Sequence, residues 1–253
     1  MTNEQKCLLG HGACQLAASS KCNDLCPAYL QLHGTSGLGG RAGTTNVPRQ
    51  HRLTTIHNTD VRNKQTDLYQ IIDKYIHRLF TPRHLKDERL SLYLYSESPG
   101  TGKTTSASAI LNTYLVKTYI RSVTEQQPLP QNIAYFLDAN EWQTVYNEAT
   151  RKNIPADIAE KAYARYYEMK RMAEETNFLV LDDVLVRSIT DGHRGDLHSL
   201  VNHRVSESMP TVYTSNIPLT QLPELLGEER LYDRMRDMTL ELHFQGASQR
   251  GMK

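Results

Sequence analysis

The chain predicts an α/β protein with a parallel sheet covered by helices on both faces. Three observations carry this. Short apolar runs alternate with helix-compatible stretches from residue 61 onward, and strands that alternate with helices pair in parallel between two helical layers. A glycine-containing turn ending in Lys103-Thr104 stands between one apolar run and the next helix. Another apolar run, Phe178–Leu181, ends in two aspartates, at the strand end where such sheets place their ligands.

The first 60 residues hold all four cysteines (Cys7, Cys14, Cys22, Cys26), four of the ten histidines and the glycine-rich stretch Gly34–Gly43, with little periodicity. The chain therefore divides into a small Cys/His-rich N-terminal module, residues 1–58, and an α/β domain, residues 59–253. From Val61 to Phe80, the residues Leu68, Ile71, Ile72, Tyr75, Ile76 and Leu79 share one stripe, which predicts a helix. Ser91–Tyr95 reads as the first strand, Thr104–Tyr119 as a helix and Ile133–Leu137 as the second strand. A long helix over Ala156–Glu175 follows Pro155, and Phe178–Leu181 is the third strand. Asp196–Ser206 reads as a helix, Thr211–Thr214 as the fourth strand, Leu225–Met235 as a helix and Met238–Phe244 as the fifth strand. No internal repeat is visible.

Composition sets bounds. A chain of 253 residues can bury a full core. Its net charge of +1 gives no global field toward nucleic acid, so any basic surface is local. No run of about 18 apolar residues marks a membrane span. Met1–Lys6 lacks an apolar core, so no secretory signal is expected, and a cytoplasmic setting follows. There, four cysteines are reduced or metal-bound rather than paired as disulfides.

The turn reads Glu97-Ser98-Pro99-Gly100-Thr101-Gly102-Lys103-Thr104, in the strand–loop–helix setting that a phosphate-binding P-loop requires. Gly100 and Gly102 let successive N–H groups face phosphate oxygens, and the following helix, with Thr105 next along it, adds its positive end. Lys103 is placed to reach the β- and γ-phosphates, and Thr104 to ligate Mg²⁺. Glu97 stands where the motif has its first glycine, so its carboxylate must point away from the phosphates. About 80 residues on, Asp182 fits the Walker B position that holds magnesium through water, and Asp183 suits polarisation of the attacking water. The competing reading is a buried strand ending in a solvated acidic turn. Thr211-Val212-Tyr213-Thr214-Ser215-Asn216 ends a strand with Asn216 able to hydrogen-bond a γ-phosphate or the water attacking it. The helix after Gly227 carries Arg230, Arg234 and Arg236, and a guanidinium entering a neighbour's nucleotide site can neutralise transition-state charge.

This order of parts resembles the AAA+ ATPases, and within them the bacterial and phage helicase loaders of the DnaC and DnaI type and the related IstB transposition ATPases. The resemblance spans residues 60 to 245 and rests on Ser98–Thr104, Leu181-Asp182-Asp183, Tyr213-Thr214-Ser215-Asn216 and Glu229-Arg230-Leu231-Tyr232-Asp233-Arg234. It implies a five-stranded sheet in the order 5-1-4-3-2, Asn216 as sensor 1, and Arg234 as the arginine finger with Arg230 the next candidate. Only 17 residues follow Arg236, too few for a complete helical lid, as is common in this group. The implied protein is a self-associating ATPase with slow, assembly-stimulated hydrolysis. It would bind the hexameric replicative DNA helicase and deliver it to single-stranded DNA. The alternatives are an IstB-like regulator assembling on duplex DNA and an adaptor that binds nucleotide without hydrolysing it.

In the N-terminal module, Cys22-x3-Cys26 falls within zinc-ligand spacing and Cys14 lies eight residues upstream. Cys7, His11 and His33 compete for the fourth place on a Zn²⁺ ion able to fold a segment poor in apolar surface. The competing reading is a partly disordered arm with reduced cysteines. The resemblance makes this module the partner-docking region. Gly37-Leu38-Gly39-Gly40-Arg41-Ala42 matches a dinucleotide fingerprint, but with no strand before it a flexible loop is expected. The tyrosines and basic residues of Ala162–Arg171 suit either a single-stranded nucleic-acid surface or a solvated amphipathic face.

Overall fold

Strand and helix alternate along the chain as the hydrophobic pattern requires. In the computed structural model, which describes residues 2–81, 91–184, 190–223, 229–246 and 248, the elements run α1 (Pro27–His33), α2 (Gly40–Gly43), α3 (Val61–Lys64), α4 (Thr66–Leu79), β1 (Ser91–Tyr95), α5 (Lys103–Glu125) and β2 (Ala134–Asp138). There follow α6 (Ala139–Ala149), α7 (Ala156–Glu175), β3 (Phe178–Asp182), α8 (Asp191–Ser206), β4 (Thr211–Ser215), α9 (Glu229–Met238) and β5 (Thr239–His243). The sheet order is β2-β3-β4-β1-β5, the 5-1-4-3-2 order expected, in the parallel α/β sheet expected. Leu92 pairs with Val212 on one side and Leu240 on the other, and Val180 pairs with Val212. No helix among the described residues is long and apolar enough to cross a membrane.

Contacts divide the chain into two compact units: residues 1–82 with 105–136, and residues 83–104 with 137–253. In the second unit, Leu92, Leu94, Phe178, Val180 and Val212 are fully buried, as strands covered on both faces must be. One helix here was not visible in the periodicity. Asp138 ends β2 and accepts from the Asn140 and Glu141 N–H groups at 2.8 and 3.1 Å, an N-cap that starts α6. The indole of Trp142 on α6 donates to the Tyr166 carbonyl on α7 at 3.2 Å. The Tyr166 hydroxyl donates to Asp196 at 2.7 Å, as does the Lys170 ammonium, which ties α7 to α8.

The α8 helix starts at Asp191, five residues before the expected Asp196, and runs through Gly192 and Gly195. Gly192 has a packing reason: a Cβ there would meet the Tyr146 hydroxyl oxygen at 2.0 Å. Gly192→Ala should therefore cost about 1–3 kcal/mol in denaturant melts. Tyr146→Phe, which removes that oxygen, should recover part of the loss; no recovery would place the strain in the helix itself.

The first unit is more ordered than its composition suggests. Leu8, Leu32, Ile56, Ile72, Ile76, Ile110 and Leu111 are all buried. Pro27 starts α1, where a missing N–H costs nothing. The Asn112 amide on α5 donates to the His51 and Thr54 carbonyls, both at 2.8 Å. The Thr113 hydroxyl accepts from the Ile56 N–H at 3.1 Å. The stretch read as one helix over Val61–Phe80 is broken at Gln65 into α3 and α4.

Candidate functional site

The β1 strand delivers the chain into the glycine turn, where Gly100 and Gly102 take φ of 77° and 101°, backbone that disfavours a Cβ. Glu97 is exposed, and Ser98 and Pro99 with it, so the carboxylate at the missing glycine lies in solvent. Thr101 is fully buried, and its hydroxyl oxygen has no hydrogen-bond partner among the described residues. Lys103 opens α5, is buried, and donates to the Ser96 carbonyl at 3.4 Å across the base of the loop. Thr105 follows, half-buried.

A hydroxyl–carboxylate cluster lies beside the lysine. The Thr104 hydroxyl is 3.1 Å from both carboxylate oxygens of Asp182. From β4, the Thr214 hydroxyl donates to Asp182 Oδ1 at 2.6 Å and accepts from the Asp183 N–H at 2.8 Å. The Val184 N–H donates to the Thr214 carbonyl at 2.9 Å. Thr214 thereby sets the turn after β3 and holds Asp183 in a left-handed conformation, φ 55°. Its part was missed in the sequence, because it depends on β4 lying next to β3. Burial pushes Asp182 up to about 7, with the charges of Asp183 and Asp138 adding to it and the Thr214 and Thr104 hydroxyls opposing it. A divalent cation bound there would reverse that cost. Asn216 is half-buried just past β4.

Arg234 stands on the exposed side of α9 and donates to Asn202 Oδ1 and Ser206 Oγ of α8, both at 2.8 Å. It is thus held against α8. The side chain of Arg230 lies outside the described residues.

All four cysteines line one small cavity of about 20 Å³ in the first unit. None is in a disulfide. Burial raises the Cys7 thiol pKa, and Cys26, Cys14 and Cys22 raise it further. His11 is exposed. His33 is buried, accepts from the Leu8 N–H at 3.1 Å and lines a different cavity. Among the described residues, no three or more His, Cys, Asp or Glu side chains stand in an arrangement that could hold a metal ion. On α7, Tyr163 and Tyr167 are exposed and stacked, with ring centroids 6.5 Å apart. The neighbouring cations are neutralised, Arg165 by Glu141 and Arg171 by Glu168 and Glu175.

No protein-family model and no curated protein matches the chain. Solved structures do. DnaI matches with a TM-score of 0.53 at 19% identity, over 81% of this chain and 95% of that one. The DnaC helicase loader matches at 0.50 and 18%, over 78% and 100%. DnaA from Aquifex aeolicus, bound to AMPPCP, matches at 0.51 and 16%, over 79% of this chain and about half, 51%, of that one. At these identities the likeness shows the fold alone, the helix-flanked parallel sheet that this chain shares with DnaI, DnaC and DnaA.

Proposed function

We propose that this chain is an AAA+ protein, a magnesium-dependent ATPase that loads the replicative DNA helicase onto single-stranded DNA. The observation that carries the ATPase reading is the hydrogen-bonded set of Thr104, Asp182 and Thr214 beside the buried Lys103. Its donors and acceptors suit a nucleotide with its metal. Lys103 and the loop N–H groups would bind the phosphates, and Thr104 and Asp182 would hold magnesium, which would supply charge neutralisation at the phosphates. Asp183, its backbone fixed by Thr214, orients the attacking water. Asn216, at the end of β4, holds the terminal phosphate or that water. The helicase-loading part rests on likeness to the DnaC loader and DnaI in the fold.

Arg234 serves a neighbouring subunit in this reading. It sits on an exposed helix face with its guanidinium spread by Asn202 and Ser206. Turnover is then slow in the single chain and rises on self-association. Arg234→Ala should cut assembly-stimulated turnover by about 10³-fold. Unchanged turnover in the assembled state would remove Arg234 from the mechanism.

The N-terminal module, residues 1–58, is the helicase-docking part, organised by Zn²⁺ on Cys7, Cys14, Cys22 and Cys26. Four thiols suit zinc as donors; these cysteines line one cavity, and binding would draw them in from positions that form no metal-holding cluster among the described residues. The function as a whole is tested by capture with the tagged full chain from host lysate in ATP, beside a Cys22→Ser/Cys26→Ser variant. Recovery of a hexameric helicase by the wild type alone supports loading through this module. Recovery of a transposase on duplex DNA, with no helicase, supports the transposition regulator instead.

A further inference from the structure

The first unit contains a cavity of about 530 Å³ that the ATPase mechanism does not use, within the range of ligand pockets, about 300–1,000 Å³. Lys6, Arg49 and Arg52 line it, and no aspartate or glutamate does. The side chains of these three cations make no hydrogen bond or ion pair with any described residue. That sets them apart from the neutralised arginines of α7. In a chain with a net charge of only +1, three uncompensated cations around one cavity form a local field for an anion. The walls also offer the apolar Leu38 and Leu53 and the ring of Tyr29. The lining thus offers cations for a phosphate and apolar surface for a flat group.

One wall is rigid. A Cβ at Gly40 would lie 2.6 Å from the Leu32 carbonyl carbon, and one at Gly37 would lie 2.8 Å from the Tyr29 hydroxyl. The glycines of this loop let it pack directly on α1. The stretch expected to be a flexible loop is instead seated on a helix. The Tyr29 and His33 rings, both of which line the cavity, lie 5.1 Å apart and are tilted by 34°.

We propose that this cavity is a nucleoside-phosphate site, with Lys6, Arg49 and Arg52 gripping the phosphate and the apolar wall receiving the base. Its ligand is a unit of a single-stranded nucleic acid or a free mononucleotide. In the first case the inference rests on the proposed loading function and locates its DNA contact.

The test uses the full chain carrying Lys103→Ala, to silence the P-loop, with and without Arg49→Gln/Arg52→Gln. The probes are a fluorescent ten-residue oligothymidylate and AMP. The substituted protein should bind its ligand on the order of tenfold more weakly. If the ligand is the strand, the slope of log K against log[salt] should fall by about 1.4, two phosphate contacts on a single strand. Matching melting temperatures for the two proteins separate this from unfolding. Tight AMP binding that the substitutions abolish identifies the mononucleotide as the ligand. Loss confined to the oligonucleotide identifies the strand. Oligonucleotide and AMP affinities unmoved by the substitutions overturn the site and leave the loading function standing. No binding of either probe overturns both the site and the DNA part of that function.

Discussion

Asp182→Asn is expected to abolish ATP turnover while making the nucleotide-free protein more stable. The loss of turnover, at least about 100-fold, follows from removing the carboxylate that meets Thr104. The gain follows from burial, which holds the Asp182 pKa at about 7 against an ordinary 3.8. The folded state keeps its proton where the unfolded chain has lost it. Stability attributable to this group therefore falls as pH rises from about 4 to 7 and is level above 7. Asparagine has no such dependence. Its advantage should be about 2–3 kcal/mol larger at pH 7.5 than at pH 5, and at pH 7.5 the melting temperature should rise by about 5–10 °C. Denaturant melts of both proteins at the two pH values, without nucleotide or magnesium, decide it. An advantage independent of pH would mean that Asp182 is already ionised in the free protein.

Arg204→Met should be among the most damaging single changes in the second unit. Arg204 is 1% exposed. Its Nη1 donates to the Ala173 and Thr176 carbonyls at 2.8 and 3.0 Å, its Nη2 to the Pro210 carbonyl at 2.9 Å and its Nε to the Thr211 hydroxyl at 2.8 Å. One guanidinium thus ties together the end of α7, the last turn of α8 and the start of β4. Methionine fills similar volume but leaves the acceptors unmet, a loss of about 3–5 kcal/mol. Arg204→Lys should recover little, because one ammonium cannot span a planar set of acceptors. A methionine variant within 1 kcal/mol of wild type would show that water replaces the guanidinium without penalty.

The sheet was legible because its strands are short apolar runs at a spacing that admits only crossover helices. The glycine turn before α5 and the Asp182-Asp183 pair stand out in the sequence because they sit at strand ends, the one place where such runs turn polar, and the structure brings Thr104 against Asp182 there. What escaped reading has physical causes. The α6 helix follows β2 without a loop, with its start set by the Asp138 side chain. The first turn of α8 is hidden by Gly192, which answers to Tyr146 rather than to backbone freedom. Thr214 could be assigned only with strand order in hand. In the first 60 residues the buried apolar positions come as short clusters, Cys7–Leu9 and Tyr29 with Leu32, and singly at Val47 and Ile56, too short in any one run to give a sustained period, so their packing was invisible along the chain.

The position of β1 has a bearing on synthesis. Both its neighbours come late: Leu92 waits for Val212 and then for Leu240, about 120 and 148 residues downstream. As the chain leaves the ribosome from its N-terminus, the strand carrying the P-loop emerges long before either edge can be covered. Such distant pairing is slow and leaves strand edges open to aggregation. A nascent chain stalled before β4 should thus hold the whole P-loop motif yet retain no ATP. On the proposed ATPase reading, nucleotide binding becomes a late checkpoint that reports completion of the sheet.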